Sequence, residues 1–248
     1  MKVSVVMATY NGLKYLPMQI DTVVGQLRPG DELVVVDDAS SDGTVDYIQS
    51  LQSRFIRVIE NPANQGVFAS FETGLLAATG DVIFLCDQDD VWLPGKRDTM
   101  TACFEADMAV QVVISDAQLV DGQGNVFAPS FMATRGGFHG SLWSTLVRNR
   151  YLGCAMAIRR DLLRAVLPIP KRVPMHDMWI GALGTLLGRV DYIDSPLIQY
   201  RRHGGNVSPS TPQGILQMVR WRLTLALLLA TRVVRVVMGS RLAVRQEQ

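Results

Sequence analysis

The chain has 248 residues, of which 48% are hydrophobic and 19% charged, and its net charge is +1. That length holds one large domain, or one domain with an appendage, and the composition excludes a disordered chain. A near-neutral total excludes a general polyanion-binding field, so no nucleic-acid partner is expected. Cys86, Cys103 and Cys154 form neither a metal spacing nor a disulfide framework, which fits a reducing cytosol. The opening MKVSVVMATYNG has one lysine and a short apolar run with no cleavage site. It is no signal peptide, and a cytoplasmic location is expected.

Val3 to Met7 is a β-branched run closed by the turn Thr9-Tyr10-Asn11-Gly12, and it reads as a first strand. Leu13 to Gln26 carries apolar residues at helical spacing, and Glu32 to Val36 is a second buried strand ended by Asp37 and Asp38. An interval of about 30 residues between the two suits a right-handed βαβ unit with parallel strands. Ser40, Ser41 and Asp42 offer capping side chains for a helix over Val45 to Leu51. A third strand, Ile56 to Ile59, a loop through Asn61 and Gly66, and a helix, Phe68 to Ala78, lead to a fourth strand, Val82 to Cys86. Regular alternation of this kind argues an α/β sheet with its site on one edge.

The fourth strand runs into Asp87, Gln88, Asp89 and Asp90. Three carboxylates in four positions repel one another, and a buried strand end holds them only with a cation or another partner. A hard divalent ion, Mg2+ or Mn2+ on a diphosphate, is the simplest compensation; a solvated acidic turn is the alternative. Beyond Trp92 the pattern loosens into a helix from Pro94 to Ala106, a strand from Val110 to Ile114 and a hairpin turn at Val120 to Gly124. Pro129 to Gly140 reads as a mobile loop, followed by a strand at Gly153 to Ile158, a helix at Met175 to Leu187 and a strand at Val190 to Ile193.

Several polar residues fall at the same sheet edge. Asp38, after the second strand, suits ribose hydroxyls or a base N–H, or else an N-cap within Asp38 to Asp42. Thr9, Tyr10 and Asn11 form a polar turn whose backbone and Tyr10 ring suit a nucleobase. No GxGxxG follows the first strand and no GxxxxGK[ST] occurs anywhere, which argues against a dinucleotide or P-loop enzyme. Asp177, in Met175-His176-Asp177-Met178-Trp179, reads as a helix-cap acid or as a general base tuned by His176 or the cleft. Arg201, Arg202 and His203 suit a diphosphate or a third metal contact, or form a solvated basic loop.

Four separated motifs, VSVVMATYNG, VVVDDASSDGT, FLCDQDDVW and HDMW, resemble in that order and spacing the family 2 glycosyltransferases. The likeness covers about residues 1 to 205, and CDQDDVW with YRRHGGNVS downstream looks most like the rhamnosyltransferase-type members that build bacterial surface polysaccharides. The resemblance implies a GT-A nucleotide-diphospho-sugar transferase fold, an α/β class with a mixed, mainly parallel sheet flanked by helices, to which the tail's own spacing adds a C-terminal helical appendage. It implies an inverting transfer from a dTDP-, UDP- or GDP-linked donor to a saccharide or lipid-linked acceptor. Thr9, Tyr10, Asn11, Asp38, Asp87, Gln88 and Arg202 become donor contacts, Asp87 and Asp89 with His203 the holders of Mg2+ or Mn2+, and Asp177 the base. His176 departs from the glutamate more common before the base.

Two rivals stand beside this reading. Hydrophobic-DxDxV also describes the nucleophile loop of haloacid-dehalogenase-like phosphohydrolases, with Asp87 attacking phosphorus, although those enzymes usually carry it on the first strand. A non-catalytic sugar-nucleotide-binding subunit is the other. An EF-hand fails, because the pattern needs glycine where Trp92 stands.

The chain divides into a catalytic unit over residues 1–205 and a tail over 206–248. Six arginines against one glutamate leave Thr211 to Gln248 at +5 and the remaining chain at −4. At 100° per residue Arg220, Arg235, Arg241 and Arg245 fall within about 120°, with Arg232 at their margin. A basic amphipathic helix of this kind suits an anionic membrane surface, or packs on the catalytic unit or in a homodimer.

Overall fold

A computed structural model of the chain describes residues 1–142, 149–203 and 215–246. Nine strands form one sheet in the order β3-β2-β1-β4-β8-β6-β9-β5, with β7 paired to β6. The site-bearing half is parallel: β1 (Val3–Thr9), β2 (Glu32–Asp37), β3 (Ile56–Glu60) and β4 (Val82–Asp87). These strands are runs of Val, Ile and Leu because both faces are covered, and the interior positions of β1, β2 and β4 are fully buried. Helices α1 (Leu16–Val24), α2 (Thr44–Ser50) and α3 (Val67–Ala77) make the crossovers. Gly74 lets α3 lie directly on β1, since a Cβ there would stand 2.3 Å from Val6 Cγ1.

Register brings the strand ends level. Thr9 pairs with Asp37 across β1 and β2, and Ala8 with Asp87 across β1 and β4. The remaining strands continue the sheet with mixed direction: β5 (Val91–Trp92), β6 (Val110–Val120), β7 (Val126–Ala128), β8 (Met156–Arg159) and β9 (Arg189–Arg201). The other helices are α4 (Lys96–Ala106), α5 (Phe131–Thr134), α6 (Leu163–Val166), α7 (His176–Leu187) and α8 (Ile215–Gln246).

Three sequence expectations change. Strands β6 and β9 run well past Ile114 and Ile193, so Tyr200 and Arg201 end a strand rather than follow one. Pro196 sits opposite Asp116 at a register irregularity, the kind of position at which a sheet accepts proline. The stretch expected as a mobile loop is seated at its start by α5, which buries Phe131 and Met132. Buried Asp116 holds it there, accepting from the Met132 N–H at 3.0 Å and from the Ser130 hydroxyl.

Helix α8 packs on α6 and α7 through Leu225 and Leu229, which are buried. Arg232, expected at the margin of a basic face, turns inward instead. Its guanidinium donates to the carbonyls of Ala165 at 2.7 Å, Leu167 at 2.9 Å and Pro168 at 2.8 Å, and lies over the Trp179 ring. The side chains of Arg241 and Arg245, the junction at residues 205 and 206, and Gly204 to Ser208 of the downstream motif lie outside what the structure describes.

Helix α4 is fastened to the sheet by a buried ion pair. Arg97 Nε donates to Asp31 Oδ2 at 2.9 Å and its Nη2 to Oδ1 at 3.2 Å, while Asp31 also accepts from the Val3 N–H at 2.8 Å. Removing one member of such a pair strands the other charge. Asp31→Ala is expected to cost about 3 kcal/mol, seen as a lower urea midpoint with an unchanged slope.

Candidate active site

The level strand ends open into a cleft of about 460 Å³. Its walls are built by Ala8, Thr9 and Tyr10 from the end of β1, Asp38 from the end of β2, and Asp87, Gln88 and Asp89 from the end of β4. Asn64, Gly66, Val67, Phe68 and Ser70 come from the start of α3, Met175 and His176 from the start of α7, and Tyr200 and His203 from the end of β9.

The polar turns are tied to one another before any ligand arrives. The Asp38 N–H donates to the Thr9 carbonyl at 2.8 Å, and Thr9 Oγ1 donates to Asp37 Oδ1 at 2.9 Å. Gln88 clamps the next turn, accepting from the Tyr10 N–H at 2.8 Å and donating to its carbonyl at 3.1 Å. The Tyr10 ring is left 48% exposed beside Val67 and Phe68. Asn11, at φ 47°, faces away from the cleft wall, accepting from the Ser41 N–H and so joining the first loop to the second.

Asp38 does not cap α2, whose N-cap is Gly43; Asp42 in the turn before it accepts from the Thr44 N–H at 3.0 Å. The Asp38 carboxylate instead accepts from the Gln65 N–H at 2.9 Å, the Gly66 N–H at 2.8 Å and Asn61 Nδ2 at 2.8 Å. Burial works against its charge, but these bonds outweigh burial and hold the carboxyl below its ordinary value. Gly66 meets it at φ 87°, a conformation that favours glycine.

The acidic cluster behaves differently. Burial, then the carboxylates of Asp90, Asp89 and Asp177, push Asp87 well above the carboxylate range, with Lys96 pulling the other way. Burial and Asp89 push Asp90 up to about 7. Asp90 Oδ1 accepts the Arg201 N–H at 2.9 Å, whereas its buried Oδ2 has no hydrogen-bond partner among the described residues. Asp89 is drawn to the opposite wall, its Oδ2 lying 2.7 Å from His203 Nε2. That histidine ring rests against Tyr15.

A divalent cation is the chemical group this cluster fits. Carboxylate oxygens of Asp87 and Asp90 and the Cys154 thiol lie within 4.8 Å of one another, and an orphaned oxygen at raised proton affinity has an obvious use for a positive charge. The oxygens suit Mg2+ or Mn2+; the thiol is a soft donor with no place in such a shell. The expected set of Asp87, Asp89 and His203 lines one cleft, but the close-set group holds Asp90 with Asp87 rather than Asp89.

Asp177 lies just behind that wall in the first turn of α7, 4% exposed. Burial raises it to about 6, against hydrogen bonds from the Met178 N–H, Asn149 Nδ2 and the Gly153 N–H. The expected tuning by His176 is absent: burial pulls that imidazole down to about 4, so it stands neutral at pH 7. It stacks on Phe71 at 4.5 Å, and neither ring nitrogen has a partner among the described residues. Arg202 stands behind the cleft, donating to the Tyr200 hydroxyl at 3.1 Å, and Arg201 turns inward to the Asp89 carbonyl at 2.8 Å.

One participant left no signal in the sequence. Lys96 is fully buried beneath the cluster, donating to the Cys154 carbonyl at 2.6 Å and lying over the Trp92 ring. A lysine opening a helix after Pro94-Gly95 looks solvated until the fold is known.

Comparison with known proteins now bears on this geometry. Residues 4–167 match the family model described as glycosyl transferase family 2. The chain belongs to glycosyl transferase family 2. An uncharacterized glycosyltransferase of a Nostoc species is 32% identical over 216 residues, covering 83% of this chain and 66% of the relative. The chain therefore spans just under two thirds of that relative's length. Among solved structures, Staphylococcus aureus TarS in complex with UDP-GlcNAc superposes with TM-score 0.69 at 20% identity, covering 94% of this chain and 72% of that one. A Pyrobaculum calidifontis mannosyltransferase in complex with GDP-Man and Mn2+ superposes with TM-score 0.64 at 17% identity, covering 97% and 75%. The fold is that of the GT-A glycosyltransferases, and the phosphohydrolase reading of Asp87 is left without support.

A buried carboxyl with a raised pKa stabilises the fold at low pH, and that contribution is lost as pH rises through about 6. Asp177→Asn is therefore expected to melt higher than the parent chain at pH 7.5. The difference shrinks as pH falls through about 6 and vanishes only below about pH 3, where Asp177 is protonated folded and unfolded alike, and thermal denaturation across that range reads it.

Proposed function

We propose that this chain is an inverting glycosyltransferase that moves a sugar from a nucleotide-diphosphate donor to a hydroxyl of a saccharide or lipid-linked acceptor. One observation carries the reading: Asp38, Asp87 and Asp89 from the ends of separate strands line one cleft, and Asp177 in the first turn of α7 lies close enough behind it to raise the proton affinity of Asp87. Family membership gives the reaction class, and the neighbours with UDP-GlcNAc and with GDP-Man and Mn2+ support a nucleotide-sugar donor.

In this reading the exposed Tyr10 ring, with Val67 and Phe68, takes the nucleobase, while Thr9 and Asp38 face the ribose. Asp38 suits that place because its charge is kept and its position is fixed by Gln65 and Gly66. Asp87 and Asp89, with His203 beside Asp89, hold Mg2+ or Mn2+, which when bound neutralises the donor's diphosphate. Arg202 adds positive charge from behind Tyr200. Asp177 takes the proton of the acceptor hydroxyl while that oxygen bonds to the anomeric carbon and the bond to the diphosphate oxygen breaks. A base at about 6 is ionised at pH 7 yet more basic than an exposed aspartate, the balance general-base catalysis needs.

Asp177→Asn should lose about 10²–10⁴ in kcat with donor binding little changed. The parent's kcat/KM should fall on the acid side with an apparent pKa near 6. A variant keeping more than about a tenth of the rate removes Asp177 from this role.

The donor is found by thermal shift with UDP-, GDP- and dTDP-linked sugars, where ligand at 100 times its Kd stabilises by about 2.7 kcal/mol. A shift largest with dTDP-rhamnose assigns the rhamnosyl subtype, and no shift with any donor contradicts the reading.

A further inference from the structure

Helix α8 is apolar on two sides. One side packs on the catalytic unit through Leu225 and Leu229. The other presents Val219, Leu223, Leu227, Val234 and Met238, between 43% and 68% exposed. At 100° per residue these five lie within about 100° of one another, a continuous stripe along the outside of the helix. Scattered exposed leucines are ordinary on a protein surface, but a five-residue stripe on one helix is not.

Beside the N-terminal end of the stripe lies a second cavity, about 440 Å³, between α8 and the segment before α7. Lys171, Arg172 and Arg220 line it with Trp221, and no acidic side chain does. None of the three cations forms an ion pair among the described residues. Arg220 stands at the margin of the stripe, and exposed Arg235 about 60° beyond it. Apolar side chains flanked by unpaired cations complement a surface that is greasy within and anionic at its rim. No described helix is long and apolar enough to cross a membrane, so the fit is to a surface lain upon.

We propose that α8 and the Lys171–Arg172–Arg220 cavity together dock the protein on an anionic phospholipid surface, the stripe entering the headgroup boundary and the cations meeting lipid phosphates. This docking stands apart from sugar transfer. Its consequence for that reaction rests on the proposed function: the segment from Lys171 leads directly into Met175 and His176 of the cleft wall, so a lipid-linked acceptor would arrive beside the site.

The test is co-sedimentation of the full chain, without nucleotide, with vesicles of phosphatidylcholine alone and of phosphatidylcholine mixed with phosphatidylglycerol at low salt. The protein should pellet only with the anionic vesicles. Each cation near an anionic surface contributes about fivefold, so the triple variant Lys171→Gln, Arg172→Gln, Arg220→Gln should bind about 100-fold more weakly. Leu223→Asp with Leu227→Asp should abolish binding. Both variants alter exposed side chains only and should keep the parent's melting midpoint. The proposal is overturned if the parent stays in the supernatant or the triple variant binds as the parent does. It is equally overturned if sedimentation velocity shows a dimer that the double aspartate variant dissolves while vesicles capture nothing, since a second copy would then own the stripe. None of these outcomes bears on donor binding, which the thermal-shift screen reads separately.

Discussion

Carboxylates are crowded at one buried strand end, and the rest of the site answers to that crowding. Asp87, Asp89, Asp90 and Asp177 are close enough that the first feels the other three, in surroundings that offer little water to screen them. A protein relieves such a cluster by binding protons, by burying a cation among the acids or by taking up a metal ion. This chain does the first two by itself. Asp87 and Asp90 are shifted upward, and Lys96 lies buried beneath them, its ammonium held to the Cys154 carbonyl and the Trp92 ring. The strain that remains sits on Asp87, which lines the cleft where a divalent ion and a diphosphate are proposed to bind, and on the unpartnered oxygen of buried Asp90 close to it.

The fold makes this arrangement by aligning strand ends. Because β1, β2 and β4 are parallel and in step, their polar termini emerge together, and the loops that follow need only short hydrogen bonds to interlock. Gln88 holds Tyr10, Asp38 holds Gln65 and Gly66, and Arg201 with His203 ties the end of β9 to Asp89 and Asp90. The walls are thus fixed by side chains that read at first as ligand contacts. Gln88 and Asn11 each bond the backbone of a neighbouring turn and so help shape the cleft.

Much of this was legible in the residues alone. The alternation of buried strands and helices through Cys86 leaves little freedom in an α/β sheet, and acids after a continuous apolar strand are costly enough to announce a site. What stayed hidden depended on contacts distant in sequence. Ser115-Asp116 and Asp194-Ser195-Pro196 look like strand ends, yet β6 and β9 pair through them because Asp116 finds its partners in Ser130 and Met132 and Pro196 falls at a bulge. Lys96 and Arg232 look like solvent-facing cations and are held inside by carbonyls of other segments. A helical wheel of the tail could group its arginines but not say which side faces the protein, and the outward side carries Val219, Leu223, Leu227, Val234 and Met238 with Arg220 at their margin. The combination of His176 and Asp177 was legible as chemistry, while the isolation of His176 from Asp177's raised pKa was not, because burial rather than charge sets both.

The central claim is that the acids of the β4 end serve a cation that grips a nucleoside diphosphate. Calorimetric titration of Mn2+ into the protein, with saturating UDP or GDP present, tests it most directly. The account predicts one ion bound per chain, weakened at least tenfold when the diphosphate is omitted and lost in Asp87→Asn, because that carboxylate bears the combined repulsion of the cluster. A titration that is flat, or that is the same for parent and Asp87→Asn, would contradict it.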